Sequence, residues 1–395
     1  MTIRSLRIAI MIAAIAAPSV FAGNVPGTHL DRTLVVVELA GGNDGLNMVV
    51  PYADPAYYKA RPTIAVPADR VVKLDQALGL NPALESLKNA WNAKELAFVL
   101  GVGYPQPNRS HFRSIAIWNT ASDSNRYLST GWISRVFAKD APPSADLADS
   151  IIIGEDHAGP LYGTGMRNVA IDSIKGFVTL AALVGDPGPD ATASGPVGYI
   201  QGVEAEIRRA AERLRGIEGN LPTLKTEFPD TPFGKQLKLA SQLLGAGVEV
   251  PVVKLTLRGF DTHGNETAVQ DNLLRELADG LSAFRSAMIE EGRWDRIAVM
   301  TYSEFGRRVH ENGSGGTDHG TAAPMLVMGG LVQGGFFGQE PSLTDLDQGD
   351  LKYTTDFRSV YQTIVSGFWG ITGADKVESI FGRSFPQLGL FRGGQ

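Results

Sequence analysis

Cysteine is absent from this chain of 395 residues. That excludes disulfides and thiolate metal ligands, so any metal must be held by oxygen and nitrogen. Histidine is scarce, with six in all. No dense Lys/Arg run and no aromatic base-stacking platform occurs, and the formal net charge is −6. A mildly acidic chain of this kind argues against nucleic acid as a partner. Three catalytic signatures are also missing. There is no G-x-S-x-G elbow, no P-loop and no H-E-x-x-H pair. A serine esterase on the usual elbow plan and a P-loop nucleotide enzyme are therefore disfavoured.

What is present begins with an export signal. Arg4 and Arg7 precede an apolar run from Ile8 to Ala17, and Val20-Phe21-Ala22 offers a small-residue cleavage site before Gly23. The apolar run is short for a membrane span. Arg4 and Arg7 are separated by Ser5 and Leu6, which favours the general secretory route over a twin-arginine leader. The expectation is a signal peptide over 1–22, cleavage after Ala22, a periplasmic or secreted location and no stable membrane span afterwards. Removing two arginines and no acids takes the net charge from −6 to −8.

With 43% hydrophobic and 20% charged residues, the composition is that of a globular protein with a real core. Apolar, strand-like runs alternate with helical patterns. The strand candidates are Thr33 to Leu39, Ala97 to Val102, Ser150 to Ile153, Val250 to Leu257, Ile297 to Tyr302 and Pro324 to Met328. The helical candidates are Ser110 to Ala121, Val203 to Ile217, the stripe from Leu273 to Met288, and Phe357 to Trp369. Near-continuous apolar strands between helices predict an α/β fold, a mostly parallel sheet sandwiched by helices. One domain over 31–392 is expected, with turn-rich loop insertions near 137–148 and 185–198.

Two glycine-flanked turns carry the chemistry: Gly259-Phe260-Asp261-Thr262-His263-Gly264 and Gly316-Thr317-Asp318-His319-Gly320. A carboxylate and an imidazole on a tight turn are what a divalent metal needs. Asp261 and His263 are two apart on an extended segment, so both side chains point the same way. An Asx turn is the plain alternative for Asp261, and a surface loop for Asp318 and His319. Asp44 in Gly42-Asn43-Asp44-Gly45 and Glu304 in Ser303-Glu304-Phe305-Gly306 each follow an apolar strand candidate. The carboxyl edge of such a sheet is where ligands bind. Ser110, in Asn108-Arg109-Ser110-His111-Phe112, opens a helical candidate. It is either a plain N-cap or a hydroxyl facing an anionic group. Arg307 and Arg308 follow Glu304 and can neutralise it or meet an anion. His29, His157 and His310 have no partner pattern.

Together these ordered motifs, from Asn43-Asp44-Gly45 through Ser110, Asp261 and Glu304 to Asp318-His319, resemble the exported "domain of unknown function 1501" proteins. The match runs from about residue 31 to 370. That family is similar to the alkaline phosphatase and sulfatase superfamily, which implies an alkaline phosphatase-like sheet with a metal site at its carboxyl edge. The resemblance implies Asp44, Asp261, His263, Glu304, Asp318 and His319 as metal ligands, with zinc first and calcium, magnesium or manganese as the other candidates. It implies Ser110 as nucleophile; His111 and Arg109 are expected beside it, with Arg109, Arg307 or Arg308 on non-bridging oxygens and Arg307 and Asn43 as substrate contacts. Phe305 stands where the superfamily carries a further histidine, and Asp261 and His263 are closer in sequence than usual. Both departures count against a full two-zinc site. The expected activity is hydrolysis of a small or polymer-linked anionic ester, phosphate or sulfate. Two alternatives stand beside it: a non-catalytic exported protein with a structural metal, and an esterase using Ser110 with a histidine in hydrogen-bond reach.

Overall fold

The computed structural model describes residues 28–138, 147–163, 166–184 and 195–393. The expected signal peptide and parts of both expected insertions lie outside these residues. Among the described residues, no helix is long and apolar enough to cross a membrane.

Among the described residues, nine strands form the central sheet. Its order is Gly335–Phe337, Leu96–Gly103, Ala323–Gly329, Ile297–Tyr302, Thr33–Ala40, Val252–Arg258, Ser150–Ile153 and Asn168–Ile171. The ninth, Thr355–Asp356, pairs alongside Leu96–Gly103. Thr33–Ala40 lies at the centre, parallel to both Val252–Arg258 and Ile297–Tyr302. Its alternating side chains enter two cores. Val35, Val37 and Leu39 face one, and Leu34 and Val36 the other. The first core is closed by the helices Pro232–Gly245 and Glu266–Glu290. The second is closed by Trp132–Phe137 and Phe357–Thr363. Burial on both faces is why these strands read as continuous apolar runs rather than as alternation.

One strand departs from the parallel expectation. Ala323–Gly329 runs against both neighbours, Leu96–Gly103 and Ile297–Tyr302. The reversal positions the site. A strand running the other way begins at the edge where its neighbours end. The segment before it, Gly316 to Gly320, is therefore delivered to the carboxyl edge that also receives Gly41, Asp261, Glu304 and Ser110.

Candidate metal centre

Four segments meet at that edge, and one arginine ties three of them together. Arg307 is 1% exposed. Its Nε donates to the Gly42 carbonyl at 2.7 Å and one terminal nitrogen to the Thr317 carbonyl at 3.0 Å. The other reaches the Phe260 carbonyl at 2.9 Å and Asp261 Oδ1 at 2.7 Å. A planar guanidinium presents five donors in a fixed fork, which suits it to several acceptors at once. The two Asp/His turns are also zipped directly: Thr317 N donates to the Thr262 carbonyl and Asn312 Nδ2 to the His263 carbonyl. Gly316 permits this, since a Cβ there would sit 2.5 Å from the His263 carbonyl carbon.

The outcome is a convergence of imidazoles on Asp261. His263 Nε2 and His319 Nε2 each lie 3.1 Å from its Oδ1, and His111 Nε2 lies 3.5 Å from its Oδ2. The ligand atoms of His111, Asp261 and His319 fall within 4.8 Å of one another. Each ring is held from behind. His111 Nδ1 meets Glu304 Oε1 at 2.9 Å, and His319 Nδ1 meets the Arg109 carbonyl at 2.9 Å. His263 Nδ1 meets Asp318 Oδ1 at 3.3 Å. A carbonyl only accepts, so His319 Nδ1 carries the proton. An ionised carboxylate imposes the same tautomer on the other two. Three Nε2 lone pairs then face one carboxylate, and those of His263 and His319 are 3.0 Å apart.

Facing lone pairs repel unless a cation lies between them. The clustered donors, the His111 and His319 imidazoles and the Asp261 carboxylate with His263 Nε2 3.0 Å from that of His319, are of the kind that bind divalent transition ions. Partners on the far nitrogen that fix tautomer and ring angle are the usual second layer of a metal site. The residues therefore fit a divalent metal. Burial pushes the Asp261 carboxyl up, but the hydrogen bond and charge of Arg307 beside it outweigh that, and the group sits below its ordinary range. Asp318 is also lowered, chiefly by the Asn312 side-chain amide. Both carboxylates stay ionised in the range where metal binds.

Several expected roles change with these positions. Glu304 stands behind His111 rather than at the point of convergence, and its two oxygens also accept Gly41 N at 2.9 and 3.0 Å. Asp318 likewise stands behind His263. His111, expected beside a nucleophile, instead joins the group whose atoms could hold an ion. Phe305 forms a wall, its ring centroid 4.4 Å from that of His319 and 5.0 Å from that of His111.

Asp44 is removed from the centre altogether. It is fully buried, and both its oxygens are taken by Arg61. Asn43 is also buried, bonded to Gln270, Met48 and Ser303. Arg307, like it, is buried and bonded to the protein itself, at 1% exposed. Arg109 contributes its carbonyl to His319, while its guanidinium pairs with Asp350 at 2.8 Å.

Ser110 is exposed at the N-cap of the helix His111–Thr120, and its hydroxyl makes no capping bond. No hydrogen bond joins it to an imidazole among the described residues, which removes the support the esterase alternative required. Arg61 is a residue that sequence reasoning missed. It lies in a proline-containing stretch with no charge pattern to single it out.

One consequence is measurable at once. Glu304→Gln keeps the side chain's shape but gives His111 Nδ1 a weaker, neutral acceptor. Zinc affinity, read by competition with a chromogenic chelator, is expected to fall about 10–100-fold. Unchanged affinity would show that Glu304 does not tune His111.

Comparison with known proteins agrees with the motifs. Residues 201–368 match the family model described as "Protein of unknown function (DUF1501)". No curated protein matches the chain in sequence. Among solved structures, the chain is similar to a protein in the alkaline phosphatase superfamily from Vibrio parahaemolyticus. The identity is 11%, over 90% of this chain and 70% of that one, with a TM-score of 0.42. It is also similar to the lipoteichoic acid synthase LtaP from Listeria monocytogenes, at 10% identity over 90% of this chain and 76% of that one, TM-score 0.38. A third is the C-terminal periplasmic domain of EcEptC from Escherichia coli, at 10% identity over 86% of this chain and 83% of that one, TM-score 0.38.

Proposed function

We propose that this chain is an exported, metal-dependent hydrolase of phosphate or sulfate esters. The convergence of three imidazole Nε2 atoms on Asp261 carries the reading. His111, Asp261, His263 and His319 would hold the metal, and a nitrogen-rich set of four favours zinc. When bound, the ion supplies Lewis acidity, which stabilises charge on the transferring group and lowers the pKa of a nearby hydroxyl or water.

The chain's own groups do the rest. Ser110 is the nucleophile. It is the residue before the ligand His111, its hydroxyl is uncommitted, and it opens a ten-residue helix whose positive end favours an anionic group. Its Oγ attacks the phosphorus or sulfur, the alcohol leaves, and water then releases the group from the serine. The Arg109 carbonyl and the Glu304 and Asp318 carboxylates keep the three rings aimed inward. Partial exposure of the cluster supports catalysis, since a purely structural site is closed on all sides. Export rests on the N-terminal segment, and a mature N-terminus at Gly23 is its test.

The experiment is elemental analysis of the purified mature protein followed by turnover of 4-nitrophenyl phosphate and 4-nitrophenyl sulfate. Ser110→Ala is expected to keep its metal and lose at least about a thousandfold in kcat. Full turnover in Ser110→Ala would remove the serine from the mechanism. The structural-metal alternative is favoured by one observation, the tying of three loops by Arg307 at the site's edge. It predicts bound metal, no ester turnover, and a Tm that falls on chelation.

A further inference from the structure

The loop that carries Asp318 and His319 has few side chains with which to fix itself. Gly313, Gly315, Gly316 and Gly320 fill much of it, and a glycine backbone costs more to order than any other. Between residues 310 and 320 one side chain is buried, that of Thr317, at 0% exposed.

Each polar group of Thr317 goes to a different segment. Its N donates to the Thr262 carbonyl at 3.2 Å, inside the turn of Asp261 and His263. Its carbonyl accepts from Arg307 at 3.0 Å. Its Oγ1 donates to Glu266 Oε2 at 2.5 Å. Glu266 is also 0% exposed and takes hold of the loop a second time, its N donating to the Gly315 carbonyl at 2.9 Å. It opens the helix Glu266–Glu290, whose Leu274, Leu277, Leu281, Phe284 and Met288 are packed into the first core. The loop is thus fastened to a rigid rod of 25 residues that starts three residues after His263.

The side-chain bond does something that the backbone bonds do not. Every one of these residues offers the same N–H and C=O, so in a glycine-rich segment such bonds form almost as well one residue out of step. Between Gly315 and Gly320 a hydroxyl is offered by Thr317 alone. A step of one residue along an extended chain is about 3.3 Å. That is as large as the whole separation of His319 Nε2 from Asp261 Oδ1, 3.1 Å. The register of the loop therefore decides whether His319 stands in the cluster at all.

We propose that Thr317 and Glu266 are positioning residues of the metal centre. Their bond sets the register of the loop, and through it the place of His319 against Asp261 and of Asp318 behind His263. Neither residue touches the ion or the substrate. The consequence for ion binding rests on the metal-centre reading above, but the register itself is present without metal. A bond that only satisfies a buried carboxyl predicts something else: a lower Tm on its loss, with the ligand histidines undisturbed.

The test is Thr317→Val in the full mature chain, which keeps the branched shape and removes the hydroxyl, with Thr317→Ser as the conservative rescue. Zinc affinity is read by chelator competition, and the visible spectrum of the cobalt(II) form reports ligand geometry. A third readout needs no ion: 15N NMR of the histidine-labelled chain in chelator, with the His319 signals assigned from His319→Gln. In the parent, His319 is expected as one tautomer, its Nδ1 proton held by the Arg109 carbonyl. Thr317→Val is expected to lower zinc affinity about 10–100-fold, alter the cobalt spectrum and give His319 a mixture of tautomers. Thr317→Ser is expected to restore all three, with affinity within about threefold of the parent. Glu266→Met is expected to act like Thr317→Val, and the two together to lose no more affinity than either alone. Parent-like affinity, spectrum and His319 tautomer in Thr317→Val, whatever its Tm, would overturn the proposal. So would a Thr317→Ser chain that restores none of them. If the parent takes up no zinc while Thr317→Val still frees the His319 ring, the positioning role stands and the metal-dependent hydrolase reading falls.

Discussion

Asp261→Asn is expected to empty the metal centre and abolish ester turnover while leaving the fold in place. The carboxylate is the one group that faces all three ligand histidines, and it is also bonded by Arg307. An amide of the same shape carries no charge and has one acceptor oxygen. With the carboxylate gone, the Arg307 guanidinium stands uncompensated beside a dication, which repels the ion that the imidazoles would hold. The side chain is half exposed, so solvent screens the change in the folded protein, and the loss of stability without metal is small. Divalent-ion content, measured by plasma mass spectrometry after dialysis, is expected to fall from about one per chain to under about a tenth. Turnover falls at least about a thousandfold. Tm in chelator stays within a few degrees of the parent chain. Retention of a full ion by Asp261→Asn would show that the histidines bind without the carboxylate and would remove the proposed donor set.

Much of this centre is legible in the amino-acid sequence. Asp261 and His263 do come together, His263 Nε2 lying 3.1 Å from Asp261 Oδ1, and Val252–Arg258 delivers them to the carboxyl edge. A bond from Thr262 N to the Phe260 carbonyl turns the backbone between them rather than leaving it extended. The six apolar runs became strands because both sheet faces are buried. Front and back within the site are another matter. Glu304 and Asp318 have the same chemistry as Asp261. Which carboxylate meets the Nε2 atoms and which stand behind depends on how the Gly41 loop and the 306–321 turn fold over one another. That follows from backbone contacts far apart in sequence, such as Gly41 N to Glu304 and Gly320 N to the Gly306 carbonyl. The reversed strand Ala323–Gly329 was illegible for a related reason: a buried apolar run reads alike in either direction. Asp44 misled because a turn carboxylate looks the same whether it faces a metal or an arginine. Its partner, Arg61, lies 17 residues away with no motif to announce it.

That buried pair is the source of the second large effect. Arg61 donates to both Asp44 oxygens and to the Val309 and Arg308 carbonyls, and both residues are almost wholly enclosed. Arg61→Met leaves Asp44 charged and unpaired, along with two carbonyls without donors. Removing one partner of a buried pair costs about 3–5 kcal/mol, a large part of the stability of a typical domain. Thermal unfolding in chelator is expected to drop by about 5–15 °C, and the double change Asp44→Asn with Arg61→Met to recover part of it. A Tm equal to that of the parent in Arg61→Met alone would mean that water reaches Asp44.

Glu266 completes the cluster and gives it a pH signature. Burial first, then the neighbouring Asp44 charge and a hydrogen bond shared with it, push the Glu266 carboxyl up to about 9 from an ordinary 4.5. Asp44 moves the other way, since Arg61 and that same hydrogen bond outweigh its burial. The raised Glu266 and lowered Asp44 place the proton of this pair on Glu266. A group whose folded pKa is raised contributes fully below its unfolded value, and the contribution is lost as pH climbs toward the folded one. Stability from this proton thus declines between about pH 4.5 and 9. Glu266→Gln keeps the side chain uncharged beside Asp44 at every pH. It is expected to match the parent near the acid end of that window and to melt progressively higher than the parent toward its alkaline end. Parallel Tm–pH curves for the two chains would place the proton elsewhere.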